Sequence, residues 1–122
     1  ESKGMDISAI QNGDFSSVAG TWRNPTGIEF TFDKNGLVSD KSKISIEYAK
    51  EIDHYLKANS ISKDGGAGAA IAFLPAGIPI TMSVTSSSDN GYTDSSDITQ
   101  DRLWFGHQLI NGSTEGFFYK VK

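Results

Sequence analysis

The chain has no cysteine, only three prolines, and just 11 Lys and Arg in 122 residues. Without a thiol, a disulfide framework, a zinc–thiolate centre and a cysteine nucleophile are all excluded. The basic residues are outnumbered by 15 Asp and Glu, for a formal charge of −4. The nearest thing to a basic cluster is Lys41-Ser42-Lys43, which reads as a solvated loop. A nucleic-acid backbone demands a basic stripe, so no nucleic-acid partner is expected. Long apolar runs are missing too. The longest stretch, 67–80, is interrupted by Gly68, Pro75, Gly77 and Pro79, and a bilayer span needs roughly 20 apolar residues. No secretory leader is visible, and the chain opens Glu1-Ser2-Lys3-Gly4 without an initiator Met. That opening reads as a mature or trimmed chain, with residues 1–4 a tag or linker remnant.

What is present is globular. Hydrophobic residues make up 37% and aromatics 11%, enough to escape the low-hydrophobicity signature of disorder. With no repeat or linker, residues 1–122 form one domain that buries roughly two thirds of its unfolded surface.

Turn signals are dense. Asn-Gly pairs fall at Asn12-Gly13, Asn35-Gly36, Asn90-Gly91 and Asn111-Gly112, and Asn-Gly tolerates the positive φ of hairpin turns. Between them lie short β-branched or aromatic runs, which predict an all-β protein. The first segment differs: Asp6 caps a short helix carrying Ile7 and Ile10, and Asp14 caps a second turn over 15–19. Strands are expected at 21–24, 27–33, from Leu37 into 44–48, 65–74, 78–85, 101–109 and 115–121. In the second of these, Ile28, Phe30 and Phe32 share one face and Glu29, Thr31 and Asp33 the other. The stretch 45–60 is open to two readings, two strands joined near 50–53 or a helix of about three turns; the strands are preferred. The total of about eight antiparallel strands fits a small barrel whose interior is filled by side chains or holds one ligand.

Several chemical motifs fail on inspection. Gly66-Ala67-Gly68 begins like a dinucleotide fingerprint, but Ile71 stands at the third glycine position and no βαβ unit follows. The reading preferred is a close approach of strands. The polar loop 86–101 carries Asp89, Asn90, Asp94, Asp97 and Asp101, yet placing Gly91 at the loop glycine puts Ser86 and Ser88 where a calcium loop needs acidic ligands, and Asp97 where it needs Glu. No metal site and no cofactor are expected. No Gly-x-Ser-x-Gly elbow occurs. Glu47 and Glu51 could be nominated as a carboxylate pair, but surface solubility accounts for them. Asn111-Gly112-Ser113 is a formal glycosylation sequon. His54, on the strand reading, shares a face with Ile52 and Leu56 as a core or rim histidine.

Gly20-Thr21-Trp22 follows the helical turn and opens the first strand. It resembles the start of lipocalin-like (calycin) barrels, which implies a Trp22 that plugs one barrel end and stacks on a late-strand arginine, Arg102 rather than Arg23. A broader resemblance runs from Met5 through Asp6-Ile7-Ser8-Ala9-Ile10 and Asn12-Gly13-Asp14-Phe15 to Trp22. With Phe30-Thr31-Phe32-Asp33-Lys34-Asn35-Gly36, the Gly65–Ile71 block, Pro75-Ala76-Gly77 and Asp101-Arg102-Leu103, these residues are similar to a domain-of-unknown-function family of Gram-positive bacterial surface lipoproteins. The resemblance implies an exported domain held at the outer face of the cell membrane by a lipidated cysteine on a polar stalk. It carries no activity to any residue.

The expectation is therefore a monomeric, non-catalytic binding or interaction module on a bacterial cell surface. Its partner would be a small amphipathic ligand in the barrel mouth, or an extracellular protein. Tyr48, His54 and His107 are the ligand-binding candidates, while Gly20, Trp22 and Arg102 are structural. Two alternatives stand beside it: a small hydrolase using His54 or His107 with a carboxylate, and a structural domain with no ligand.

Overall fold

The computed structural model describes residues 4–65, 68–81, 84, 92–106, 109 and 113–121. A short helix α1 (Ile7–Gln11) and a 3-10 turn (Ser16–Val18) precede eight strands. These are β1 (Gly20–Arg23), β2 (Glu29–Asp33), β3 (Gly36–Leu37), β4 (Ser42–Ile52), β5 (Tyr55–Ser62), β6 (Ala69–Leu74), β7 (Arg102–Gly106) and β8 (Phe117–Lys120). All pairings are antiparallel, in the order β3-β2-β1-β8-β7-β6-β5-β4. The sheet curls into a nearly closed barrel. The outermost strands β3 and β4 do not pair, and α1 packs against β4 and β5.

The local chemistry of the first segment is as its sequence implies. Asp6 Oδ1 accepts the Ala9 amide at 3.1 Å and so caps α1. Gly13, at φ +94, ends it. Asp14 accepts both the amide and the hydroxyl of Ser16 at the entry to the 3-10 turn, and these bonds hold its carboxyl below the usual carboxylate range.

The stretch 45–60 is two strands, as preferred, and the helical alternative is not formed. Two other expected features are corrected, the face of His54 and the strand at 78–85. The turn between the two strands is Asp53-His54, with φ of 49° and 77°, the positive-φ pair of a tight hairpin. His54 is therefore an exposed turn residue and does not share a face with Ile52 and Leu56. The expected strand at 78–85 is not formed over 78–81 or at Val84, the described part of that range. Pro79 has no N–H to give a ladder. Arg102 takes the Ile78 carbonyl and Asp94 takes the Ile80 amide, so side chains satisfy the groups that a neighbouring strand would otherwise claim.

The sheet is buried on both faces from β5 to β8. Inside the barrel lie Ile10, Phe15, Trp22, Phe32, Ile71, Phe73 and Leu103, among others. Outside it, Tyr55, Ala72, Leu74, Trp104 and Phe117 pack under Ile80, Val84 and Leu109 from the long connections. Consecutive residues of β6 thus alternate between two cores, which explains why Ala-Ala-Ile-Ala-Phe-Leu shows no polar alternation. Gly68 is required where β6 begins. A Cβ there would lie 1.7 Å from the Ser60 carbonyl oxygen, so only glycine permits this approach.

Candidate functional site

The two ends of the barrel are built differently. At one end the interior is plugged by the N-terminal segment: Met5, Ile10, Phe15 and Val18 are buried with Trp22, which is 1% exposed. The Trp22 Nε1 donates to the Val18 carbonyl at 2.9 Å, so even the indole is satisfied. Phe15 stacks toward Phe32 and Phe73 with ring centroids 6.2 and 6.1 Å away.

Arg102 braces the same end from outside. It pairs with Tyr119, which pairs with Arg23, while Leu103 pairs with Phe118. Alternation then places Arg102 on the opposite sheet face from Trp22 and Leu103. The expected stacking of Arg102 on Trp22 is accordingly not formed. Instead the guanidinium, fully buried, donates to the carbonyls of Gln100 (2.7 Å), Pro75 and Ile78 and meets Asp94 Oδ2 at 3.4 Å. Burial lowers its pKa and Asp94 opposes that shift, yet arginine stays charged at any physiological pH. Asp101 adds bonds to the amides of Met5 (3.1 Å) and Ala76 (2.8 Å).

The other end is open. Phe30, Phe105 and Phe118 form a floor with ring centroids 4.5, 5.0 and 5.4 Å apart. Above it opens a cleft of about 410 Å³, lined by Leu37, Ser39, Ser42, Ser60 and Gly68 as well as two of those rings. The register Ile44↔Ser60 carries Ser60 to the inward face that Ile44 occupies, and Ser42 follows by alternation. Neither the Ser42 nor the Ser60 hydroxyl bonds to another described residue. The Ser39 hydroxyl accepts from the amides of Lys41 and Ser42. Among the described residues, no ionisable side chain lines the cleft. Its volume falls within the range of small-molecule pockets.

Two of the sequence candidates, Tyr48 and His54, lie elsewhere. Tyr48 is 75% exposed where the β4–β5 register shifts between Ser45 and Lys50. His54 sits in the hairpin at the plugged end, so the two are not brought together at the mouth. His107, Asp89, Asn90 and the sequon asparagine Asn111 lie outside the described residues. The loop carboxylates that are described have partners. Asp97 accepts from Thr99 and Gln100, which lowers its pKa, and Asp94 accepts from Ser96, Ile80 and Arg102. Among the described residues no group of three His, Cys, Asp or Glu is placed to hold a metal ion.

Fold and site together define a small antiparallel barrel with one sealed and one open end. The chain belongs to the domain-of-unknown-function family DUF6287, whose match spans residues 1–122. No curated protein and no solved structure matches it.

Proposed function

We propose that this domain is a non-catalytic binding module of a bacterial cell-surface lipoprotein, and that its open mouth takes a small neutral amphipathic ligand. The observation that carries the reading is the pair of unspent hydroxyls, Ser42 and Ser60, set above an aromatic floor in a cleft whose described lining carries no charge. Polar groups placed at inward positions of a barrel do nothing for the core. They are suited to fixing the polar end of a molecule whose apolar body rests on Phe30 and Phe105. The surface address rests on the resemblance of the 5–22 block and later motifs to Gram-positive lipoproteins, with a lipid anchor upstream of this domain.

Titration with N-phenyl-1-naphthylamine, a neutral amphipathic fluorophore, tests the binding reading. Saturable enhancement is expected, and Ser60→Phe, which fills the cleft, is expected to abolish it while circular dichroism stays unchanged. Unaltered enhancement in S60F, or none with the parent protein, would leave a domain that acts through its surface or has no ligand.

A further inference from the structure

We infer a second ligand site on the outside of the barrel, in the hollow beside the Trp104 indole, suited to a neutral sugar ring. Trp104 faces away from the mouth, because Phe105 next to it turns inward and Trp104 outward. It is 3% exposed, and no described group accepts its Nε1–H. A buried indole normally finds an acceptor. Here the indole instead lines a hollow of about 320 Å³ between the β1–β2 turn and the approach to β8.

Backbone packs closely on the indole beside the hollow. A Cβ on Gly116 would lie 2.7 Å from Trp104 Nε1, and one on Gly106 would lie 2.8 Å from Trp104 Cζ2. Glycine at both positions lets the backbone close on the indole, where any side chain would collide with it. The opposite wall is fixed by Asn24, whose amide donates to the Glu115 carbonyl at 2.8 Å and whose oxygen accepts from Ile28 and Thr26. Asn24 frames the hollow with its oxygen filled and one amide N–H spent.

The groups left for a ligand alternate in kind. Trp104 Nε1 donates, the exposed Glu115 carboxylate accepts, and the Ser113 hydroxyl can do either. That set matches a polyol, whose hydroxyls each give and receive a hydrogen bond. The carboxylate disfavours anions. Tyr92, Leu109 and Phe117 supply an apolar wall for the C–H face of a pyranose. Burial, and secondarily the Asp94 charge, push the Tyr92 phenol up to about 12, so it stays neutral at physiological pH.

The two tryptophans make the test direct. In 15N-labelled protein, Trp22 and Trp104 give two indole N–H resonances, assigned by Trp104→Phe. Glucose, galactose, mannose and N-acetylglucosamine are titrated separately to millimolar concentration. A saturable shift of the Trp104 resonance with at least one sugar is expected, while that of Trp22 stays put. Glu115→Gln and Ser113→Ala alter exposed or half-exposed side chains, and each should weaken the binding at least tenfold without moving the thermal midpoint. A fixed Trp104 resonance with all four sugars, or shifts of equal size at both indoles, would overturn the site. So would binding left intact in both E115Q and S113A.

Discussion

The plugged and open ends of this barrel are made from the same strands, yet they spend their polar groups in opposite ways. At the plugged end Trp22, Tyr55, Asp94, Asp101 and Arg102 each have hydrogen-bond partners. At the open end the Ser42 and Ser60 hydroxyls have none among the described residues, above three packed phenylalanines. One end engages nearly all of these groups within the chain, the Arg102 Nε excepted. The other keeps two hydroxyls with no partner among the described residues. The contrast teaches that in a filled barrel the informative positions are inward-facing polar residues, since they add little to stability.

If this division is right, damage to the plugged end should cost stability and damage to the open end should not. Trp22→Ala removes the largest fully buried side chain and should destabilise by about 3–5 kcal/mol. Urea unfolding monitored by circular dichroism would measure it, and a loss below 1 kcal/mol would deny the plug its role. Asp94→Ala leaves the Arg102 guanidinium buried and uncompensated, with a similar expected loss of about 3–5 kcal/mol. Replacing both as Asp94→Leu with Arg102→Met should recover much of it, which would show that the pair's partnership matters rather than its charge.

Gly68→Ala is smaller and sits at the mouth. Its methyl meets the Ser60 carbonyl, so β5 and β6 must separate locally at about 1–3 kcal/mol. Amide exchange should quicken at Asn59 and Ser60 and stay slow near Trp22; uniform quickening would mean that the ends are not independent. Alkaline pH touches the outer layer. Tyr55 and Tyr92 both have raised pKa values, chiefly through burial. A raised phenol favours the folded state below the unfolded value of 10.0 and loses that contribution as pH climbs through the folded value, about 12 for Tyr92. The thermal midpoint should therefore fall across pH 10 to 12, and Tyr55→Phe with Tyr92→Phe should flatten the decline. Ser42→Ala and Ser60→Ala stand last, each expected to shift stability by less than about 0.5 kcal/mol. A larger loss in thermal unfolding would mean that these hydroxyls serve the fold.

Much of the scaffold was legible. The alternation around Phe30 and Phe32 marked β2 and its inward face, and the Asp6 cap marked the helical plug. The hairpin at Asp53-His54 was hidden because neither residue is glycine, and positive φ at both had to be imposed by the strands it joins. The absent strand at 78–81 was hidden for a different reason. Its backbone partners are the side chains of Arg102 and Asp94, 24 and 14 residues away, and no local pattern announces such bonds. Arg102 and Trp22 looked like stacking partners only until register set them on opposite faces. The mouth was illegible for the same cause. Ser42 and Ser60 look like ordinary surface serines, and only the pairing of β4 with β5 turns both inward.

Chemical-shift mapping of backbone amides during titration with N-phenyl-1-naphthylamine tests the central claim most directly. The account predicts saturable shifts confined to the mouth, at residues 37–42, 60, 68–69 and 105–106, with α1 and Trp22 unmoved. Shifts centred on α1 and the 3-10 turn, or no saturable change anywhere, would contradict it.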